Sequence, residues 1–311
     1  MNILIVGAGA LGSLIGARLS KTSASISLFS TDRKHMEAIR QNGLNIEELD
    51  GTVRNYPLAT CFEVDKLPRN PDLALVLVKT YATQNALSLV HGICSSSTIF
   101  LTLQNGIGNW EIIAETAGKE AVLAGSTAQG STLLGPGLIR HGGNGPTYIG
   151  EPDGPVSERV RRIVEVFRES ELVTEPSGEV ERLIWEKLVI NVGINAITGL
   201  TGIRNGFIAE MREAAELCSS AVEEAIAVAG AKGFPIGLDM VQRVIGVARA
   251  TGRNRSSMGQ DVDKKKRTEI DAINGAVVRF GKEAGIAAPV NQTLTSLIKV
   301  LEAQYLSQNT P

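Results

Sequence analysis

Hydrophobic and polar positions follow two different periods along this 311-residue chain. In the first part, short β-branched runs alternate with helical patterns, which is typical of a parallel sheet with crossover helices. The segments that predict buried strands are 2–6, 25–29, 73–78 and 98–103, and those that predict the helices between them are 11–20, 33–41 and 83–91. The pattern therefore predicts an α/β fold whose N-terminal domain is Rossmann-like and doubly wound.

Further strand patterns are inserted into this alternation and follow it. An Asp50-Gly51 turn between segments 44–47 and 53–59 predicts a β-hairpin. Three more short strands, separated by glycine-rich turns, are predicted at 121–128, 137–140 and 147–150. An amphipathic helix is predicted at 156–170.

The pattern changes after residue 174, where Pro176, Ser177 and Gly178 predict a hinge. Every later segment has a helical period. These predicted helices are 179–199, 209–232, 238–249, 262–284 and 289–305. We therefore expect an all-helical C-terminal domain and place the two domains at 1–176 and 177–311.

The predicted helix around 185–200 is almost wholly apolar but carries one thin polar line. Its members lie within roughly 80° of one another on the helix circumference. They are Lys187, Asn191, Asn195 and Thr198. A buried polar group without a partner costs about 1 to 3 kcal/mol, so this stripe must meet either a protein network or a ligand.

A carboxylate lies on the apolar face of another predicted helix, 262–284. Glu269 is four residues before Ile273 and therefore shares its face, whereas Asn274 is expected to project away. A buried carboxylate needs a partner, and Lys187 is the natural candidate.

The polar segment 255–261 lies upstream of that carboxylate. Its Ser257 has two interpretations: the hydroxyl points into the same space as the polar stripe, or the segment caps a helix. Local sequence does not separate them.

Composition excludes several classes of protein. The hydrophobic fraction of 43% and charged fraction of 21% are ordinary for a soluble globular protein. A net charge of −2 argues against nucleic-acid binding, which needs a dense basic patch. Neither the three cysteines nor the three histidines have metal-ligand spacing, so no metal site is expected.

The compartment is inferred from the same features. Three widely spaced cysteines fit a reducing environment, and no unbroken apolar run reaches 18 residues. The N-terminus enters a strand pattern at once, without a signal sequence. We expect a cytoplasmic protein without a membrane segment, either a monomer or a homodimer.

A glycine-rich turn directly follows the first predicted strand and opens a helix. Gly7 permits a tight turn, Gly9 lets the backbone approach a pyrophosphate, and Gly12 lets helix and strand pack closely. The helix N-terminus supplies N–H groups and partial positive charge to that anion. The expected dinucleotide-binding residues of this turn are Gly7, Ala8, Gly9, Ala10, Leu11 and Gly12.

The end of the second strand indicates which nucleotide binds. Thr31 followed by Arg33 suits a 2′-phosphate, which favours NADP, while Asp32 leaves NAD as the alternative. Lys79 and Asn105 follow the carboxyl ends of two further predicted parallel strands, 73–78 and 98–103. Sheets of this kind bind ligands at the carboxyl ends of their strands. The other interpretations of Lys79 and Asn105 are an exposed loop charge and a plain turn.

Several motifs together resemble one known family. They are GAGALG at 7–12, LQNGIG at 103–108, KLVINVGIN at 187–195, SSMGQD at 256–261 and RTEIDAING at 267–275. The combination resembles ketopantoate reductase, the 2-dehydropantoate 2-reductases, over nearly the whole chain. The resemblance implies a Rossmann domain followed by a helical domain and NADPH-dependent reduction of 2-dehydropantoate to D-pantoate.

The resemblance also implies roles for individual residues. Lys187 matches the lysine that donates a proton to the reduced ketone, and Glu269 matches the active-site glutamate. The implied substrate-binding residues are Asn105, Asn191, Asn195 and Ser257. Asn105 also matches the asparagine at the cofactor junction, and Lys79 a basic residue beside the cofactor. Many members have an arginine for the 2′-phosphate where this chain has 30–32, so Arg33 is a displaced match.

Two alternatives remain open at this stage. The same frame suits a reductase of another branched 2-keto acid or a related hydroxy-acid dehydrogenase. A protein of a different class, a dinucleotide sensor without catalysis, would keep the glycine-rich turn alone. The full set of polar residues in the helical domain argues against a sensor.

Overall fold

The structure is a computed structural model and describes residues 1–308. The chain divides into two compact units, 1–104 with 108–181 and 105–107 with the residues from Arg182 onwards. The strands of the first unit are β1 (Asn2–Val6), β2 (Ser25–Phe29), β3 (Leu44–Glu47), β4 (Val53–Tyr56), β5 (Ala59–Cys61), β6 (Leu73–Val76), β7 (Ile99–Thr102), β8 (Val122–Gly135), β9 (Leu138–Gly150) and β10 (Thr174–Pro176). Its helices are α1 (Ala10–Leu19), α2 (Arg33–Asn42), α3 (Thr83–Val90), α4 (Asn109–Ala117) and α5 (Glu158–Glu169).

The strands form one sheet in the order β4-β3-β9-β8-β7-β6-β1-β2-β5, with β10 beside β9. From β8 to β5 every neighbouring pair is parallel. This is the doubly wound order 3-2-1-4-5-6, and it confirms the predicted Rossmann-like fold. Val6 and Val76 are partners at the carboxyl ends of β1 and β6, where the strand order reverses. Sheets of this kind bind ligands at that reversal.

The region after residue 121 differs from prediction. Instead of three short strands, β8 and β9 form one long antiparallel hairpin with register shifts. Gly130 and Gly143 are partners inside the hairpin, where a Cβ on Gly130 would lie only 3.1 Å from the Gly143 nitrogen. The glycines that we interpreted as turn residues therefore let two strands approach closely.

The inserted hairpin is confirmed in part. Strands β3 and β4 pair antiparallel around the Asp50-Gly51 turn as expected. The second strand ends at Tyr56, however, and residues 59–61 form a separate strand, β5, parallel to β2. A continuous strand over 53–59 was therefore wrong.

Helices make up the second unit. They are α6 (Val180–Thr201, from residue 182), α7 (Phe207–Glu210), α8 (Arg212–Ala231), α9 (Asp239–Ala250), α10 (Ser257–Asp263), α11 (Asn274–Ala284) and α12 (Pro289–Ser307). Helix α6 is central, and a Cβ on its Gly193 would lie 2.8 Å from side chains of Val222 and Val244. The glycine therefore lets α8 and α9 pack closely against α6.

Two long predicted helices are broken in the structure. The segment 209–232 is interrupted at Met211, whose backbone is extended. The segment 262–284 is interrupted after α10, because Lys265 adopts a left-handed conformation with φ 51°. A short 3-10 turn, Ile270–Ala272, then precedes α11. Periodicity alone did not reveal either break.

Helix α6 is also long and apolar enough, by length and composition, to cross a membrane. Its most apolar window is 61% buried inside the protein, however, as a core helix would be. Our sequence criterion counted unbroken apolar runs, which the polar residues of α6 interrupt.

Candidate active site

The glycine-rich turn between β1 and α1 has the geometry of a nucleotide loop. Gly7 has φ 103°, and a Cβ there would lie 2.4 Å from the Val78 nitrogen. A Cβ on Gly12 would lie 2.3 Å from the Gly7 oxygen, so this glycine allows close packing of helix on strand. Gly9 is exposed, and a Cβ there would have no heavy atom within 4 Å. The three glycines thus occupy the positions expected of a pyrophosphate cradle.

The first turn of α1 opens directly onto this loop. Gly9 is the N-cap residue, and no side chain caps the helix. Ala10 and Leu11 therefore begin a helix whose terminal N–H groups are left for an anion. The residues present fit a dinucleotide diphosphate.

The end of β2 presents both residues that bear on nucleotide choice. Asp32 is the N-cap of α2, and its carboxylate accepts a backbone N–H bond of 3.1 Å from the first turn. Arg33 lies over the Phe62 ring, 4.5 Å from its centroid, and pairs with Glu37 at 2.9 Å. Thr31 is exposed beside them. All three residues are exposed; the Asp32 carboxylate caps α2, and the Arg33 guanidinium pairs with Glu37 on the surface.

Lys79 lies just beyond the carboxyl end of β6 and is half-buried. It precedes the 3-10 turn Thr80–Ala82. Nearby, the Gln104 amide donates to the Val78 oxygen at 2.7 Å and to the Thr83 hydroxyl at 2.9 Å. These bonds tie the ends of β6 and β7 together at the ligand-binding edge of the sheet.

Asn105 begins the short segment 105–107 that belongs to the second unit. The N–H of Ile107 donates to the Ala272 oxygen at 3.1 Å. Gly106 has φ 81°, and a Cβ there would lie 2.6 Å from the same oxygen. The structure therefore brings Asn105 close to the segment that follows Glu269.

The polar stripe of α6 ends in a protein network. Thr198 is wholly buried, and its hydroxyl lies 2.7 Å from that of Ser256. Ser256 caps α10 by accepting the Gly259 N–H at 2.9 Å. At this end of the stripe, the interpretation as a structural network is correct.

The middle of the stripe is different. Asn195 is only 5% exposed, and its Nδ2 has no hydrogen-bond partner among the described residues. Asn191 and Lys187, one and two turns earlier, are half-buried. A buried amide donor without a partner is costly, so this part of the stripe fits a ligand rather than a finished network.

Ser257 is the first residue of α10 and is exposed. The capping role falls to Ser256, which leaves the Ser257 hydroxyl available to a ligand. Arg255 holds this segment in place: it donates to the Ile203 oxygen at 3.0 Å and pairs with Asp263 at 2.8 Å. Such charge-assisted bonds fix geometry well.

Glu269 is buried, as predicted, but for a different reason. It lies outside a helix, immediately before the 3-10 turn. The preceding Thr268 donates its N–H to Glu302 at 2.6 Å, and its hydroxyl accepts the Ile270 N–H at 3.2 Å. These bonds replace helical ones. The expectation that Glu269 shares a helix stripe with Ile273 was therefore wrong.

Lys187 and Glu269 interact electrostatically. Burial lowers the pKa of Lys187 to about 8, and the Glu269 charge opposes this by raising it. An ammonium with such a pKa keeps its proton at neutral pH and releases it more readily than an ordinary lysine. The pair suits proton donation to a substrate oxygen.

Asn274 was missed by the sequence analysis. It is wholly buried, and its Nδ2 donates to the Val192 oxygen of α6 at 3.3 Å and to Asn291 Oδ1 at 2.9 Å. We expected it to project away because we treated 262–284 as one helix. With α11 beginning at Asn274, that helical phase no longer applies.

Family models match both units of the chain. The model described as ketopantoate reductase PanE/ApbA matches residues 3–154, and its C-terminal counterpart matches 179–302. The chain belongs to the ketopantoate reductase family. The motifs that carried the resemblance fall within these matches.

A curated relative supports the same assignment. The 2-dehydropantoate 2-reductase of Halobacterium salinarum is 34% identical over 302 residues, which cover 97% of this chain and 99% of the relative. The similarity therefore covers both units.

Two solved structures resemble the family member described here. A PanE/ApbA family ketopantoate reductase from Ralstonia eutropha has a TM-score of 0.90 at 28% identity and covers 98% of this chain and 100% of its own. A ternary complex of D-mandelate dehydrogenase with NADH and anilino(oxo)acetate has a TM-score of 0.92 at 26% identity, with the same coverage. The solved structures similar to this chain thus include both a ketopantoate reductase and a D-mandelate dehydrogenase.

Proposed function

We propose that this protein reduces 2-dehydropantoate to D-pantoate with NADPH, a step toward pantothenate and coenzyme A. The observation that carries the proposal is the electrostatic pair of Lys187 and Glu269, together with the unpartnered Asn195 amide two turns further along α6 on the face of Lys187. A non-catalytic sensor would have no use for this arrangement. The choice of 2-dehydropantoate as the substrate follows from the similarity to the 2-dehydropantoate 2-reductase of Halobacterium salinarum.

Lys187 is the proton donor in this proposal. As hydride adds to the keto carbon, the carbonyl electron pair moves to oxygen, which takes a proton from Lys187 Nζ. The neutral amine is then reprotonated from solvent. General acid catalysis of this kind typically contributes 10² to 10⁴ in rate. Glu269 keeps Lys187 charged, because its carboxylate raises the pKa that burial lowers.

The remaining polar residues bind and orient the substrate. Asn195 offers its unpartnered Nδ2 to a substrate oxygen, and Asn191 lies one turn away on the same face. Ser257 offers a hydroxyl, and Asn105 an amide at the junction with the cofactor. Orienting the keto group relative to Lys187 lowers the entropic part of the barrier.

We assign residues 1–176 to the cofactor and 177–311 to the substrate. The cofactor-binding residues would be Lys79, Thr31, Arg33 and the turn from Gly7 to Gly12. When bound, the reduced nicotinamide supplies the hydride. The exposed Arg33 favours NADPH over NADH.

A second candidate is reduction of a 2-oxo acid with a different tail. The similarity to the structure of D-mandelate dehydrogenase with NADH and anilino(oxo)acetate supports this second candidate, because that protein has the same fold. The residues that we assign to proton donation and substrate binding contact the 2-oxo acid group and do not distinguish between substrates with different tails.

A panel of 2-oxo acids, assayed with NADPH and with NADH by nicotinamide absorbance, tests these proposals. We expect the highest kcat/KM for 2-dehydropantoate with NADPH. A higher value for an aromatic 2-oxo acid would select the second candidate. Binding of NADPH without turnover of any 2-oxo acid would indicate a sensor.

We further propose a cytoplasmic protein that acts on a small molecule as a monomer or homodimer and binds neither nucleic acid nor membrane. Cys61, Cys94 and Cys218 are free thiols, which suits a reducing compartment. Cell fractionation and light scattering would test this.

A further inference from the structure

A buried histidine of the first unit connects three elements around the nucleotide loop. His35 lies in the first turn of α2 and is 1% exposed. The N–H of Gly137, in the turn between β8 and β9, donates to its Nδ1 at 3.0 Å. Its Nε2 lies 3.0 Å from the hydroxyl of Ser13 in α1, and that hydroxyl lies 3.3 Å from the oxygen of Ala8.

The donor and acceptor of each hydrogen bond in this series follow from the first bond, which the Gly137 N–H donates. A backbone N–H can only donate, so Nδ1 of His35 is the acceptor and a neutral ring carries its hydrogen on Nε2. Nε2 therefore donates to Ser13 Oγ, which leaves the Ser13 hydrogen for the Ala8 carbonyl. We call this chain, from Gly137 through His35 and Ser13 to Ala8, the His35 relay.

The surroundings keep the ring neutral. Ser13 and Ala8 are wholly buried, and burial lowers the pKa of His35 more than the nearby Asp32 raises it. Leu14 and Met36, adjacent in sequence to Ser13 and His35, belong to the hydrophobic core. A polar chain in such a place is costly to leave incomplete, so its bonds are held together.

The relay joins two parts of the proposed cofactor site. Ala8 lies between Gly7 and Gly9 in the glycine-rich turn, and the His35 N–H is the one that Asp32 accepts at the end of β2. His35 thus contacts Asp32, just beyond the end of β2, through its backbone, and its side chain is linked to the glycine-rich turn through Ser13.

We infer that His35 is a positioning residue for the dinucleotide, acting through Ser13 on the Ala8 peptide. The relay presets the glycine-rich turn relative to α2, so that the nucleotide meets a preformed site. This inference rests on the proposed cofactor binding, but not on the identity of the 2-oxo acid.

Three variants separate the links of the relay. Ser13→Ala removes one oxygen atom and cuts the link to Ala8. In His35→Asn, the amide oxygen can replace Nδ1 and accept from Gly137, but the side chain is too short to reach Ser13. In His35→Gln, the longer amide can still donate to Ser13 but loses the bond from Gly137.

The experiment measures the Kd of NADPH by titration calorimetry on the full-length protein, together with Tm and steady-state constants. We expect Ser13→Ala and His35→Asn to raise the Kd about five- to tenfold, and His35→Gln to stay within twofold of wild type. The kcat and the KM for the 2-oxo acid at saturating NADPH should stay within twofold for all three.

His141→Gln is the matched control. His141 is also a buried histidine of the first unit, 6% exposed, but it contacts Arg18 and Gln129 instead of the loop. We expect its substitution to lower Tm without changing the Kd of NADPH. A Kd that follows Tm in all variants, including His141→Gln, would overturn the inference.

Two other results bear on it. If Ser13→Ala folds and binds NADPH as tightly as wild type, the inference is wrong; this variant suffices should His35→Asn fail to fold. Failure of the proposed reaction is distinguishable from failure of this inference. In that case the wild type would bind NADPH and the variants would bind it more weakly, but no 2-oxo acid would be reduced.

Discussion

The two units provide their functional groups in opposite ways. In the first unit the site is a contiguous turn: Gly7, Gly9 and Gly12 give it its shape, and its functional groups are the backbone N–H donors of the uncapped start of α1. In the second, Lys187 and Glu269 lie far apart in sequence and interact through their charges. Substitutions in the first should therefore act through shape, and those in the second through protonation.

The sharpest test of that contrast is Lys187→Ala. We expect kcat to fall by about 10² to 10⁴, because the proton donor is lost. The Kd of NADPH should stay within twofold, since the lysine does not contribute to the glycine-rich turn. Stopped-flow turnover and titration calorimetry measure the two quantities.

Lys232→Ala is a suitable control for this variant, because Lys232 is a more exposed lysine of the same unit, paired with Glu283 at 3.3 Å. The kcat of Lys232→Ala should equal that of the wild type. Near-normal turnover by Lys187→Ala would contradict the proposed mechanism.

The opposite behaviour is expected of Gly9→Val. Its backbone is in an extended conformation, and a Cβ there would have no heavy atom within 4 Å. The fold should persist with Tm nearly unchanged, while the side chain occupies the space for the pyrophosphate. We expect the Kd of NADPH to rise at least about tenfold, or roughly 1.4 kcal/mol.

Gly12→Val provides the comparison. Its Cβ would lie 2.3 Å from the Gly7 oxygen, so we expect a lower Tm as well as weaker binding. Unchanged NADPH affinity in Gly9→Val would show that the turn does not cradle the nucleotide.

The same contrast explains what could be predicted from sequence. The glycine-rich turn is local, so its residues and their places relative to β1 and α1 follow from adjacent positions. The polar stripe of α6 was also predictable, because one helical period orders Lys187, Asn191 and Asn195. Both features are set by the spacing of residues that lie near one another in the sequence.

Other features depend on contacts that are distant in sequence. Helical phase predicted a buried Glu269 but could not reveal the break at Lys265 or the bond from Thr268 to Glu302 in α12. Asn274 was misplaced for the same reason. Nothing in the periodicity near His35 indicates that Gly137 will donate to it.

Protonation of the second site predicts a pH dependence. The donor must be charged, and burial places the pKa of Lys187 at about 8. As pH rises through 8 the ammonium is lost, so kcat/KM should fall, by about tenfold per pH unit at the high end. Below pH 7 this group should no longer limit the rate.

Glu269→Gln sharpens that test. Removing the charge that raises the pKa of Lys187 should move the decline in kcat/KM to lower pH. Glu224→Gln is the control, because Glu224 instead accepts bonds from Val290 and Asn291 at the start of α12. A profile of Glu269→Gln that coincides with wild type would mean that the carboxylate does not control the amine.

The smallest effect on nucleotide binding is expected for substitution of Arg33. At this position the first unit would contact the nucleotide through a charged side chain and not through its backbone. The guanidinium is exposed over Phe62, so its contact with a 2′-phosphate would be screened by solvent. We expect Arg33→Ala to raise the Kd of NADPH about five- to tenfold and to leave that of NADH within twofold. Arg54→Ala, at an exposed arginine paired with Asp50 in the β3–β4 hairpin, should change neither. Equal weakening of both nucleotides would mean that Arg33 shapes the start of α2 and does not read the phosphate, which would leave Asp32 and NAD as the better assignment.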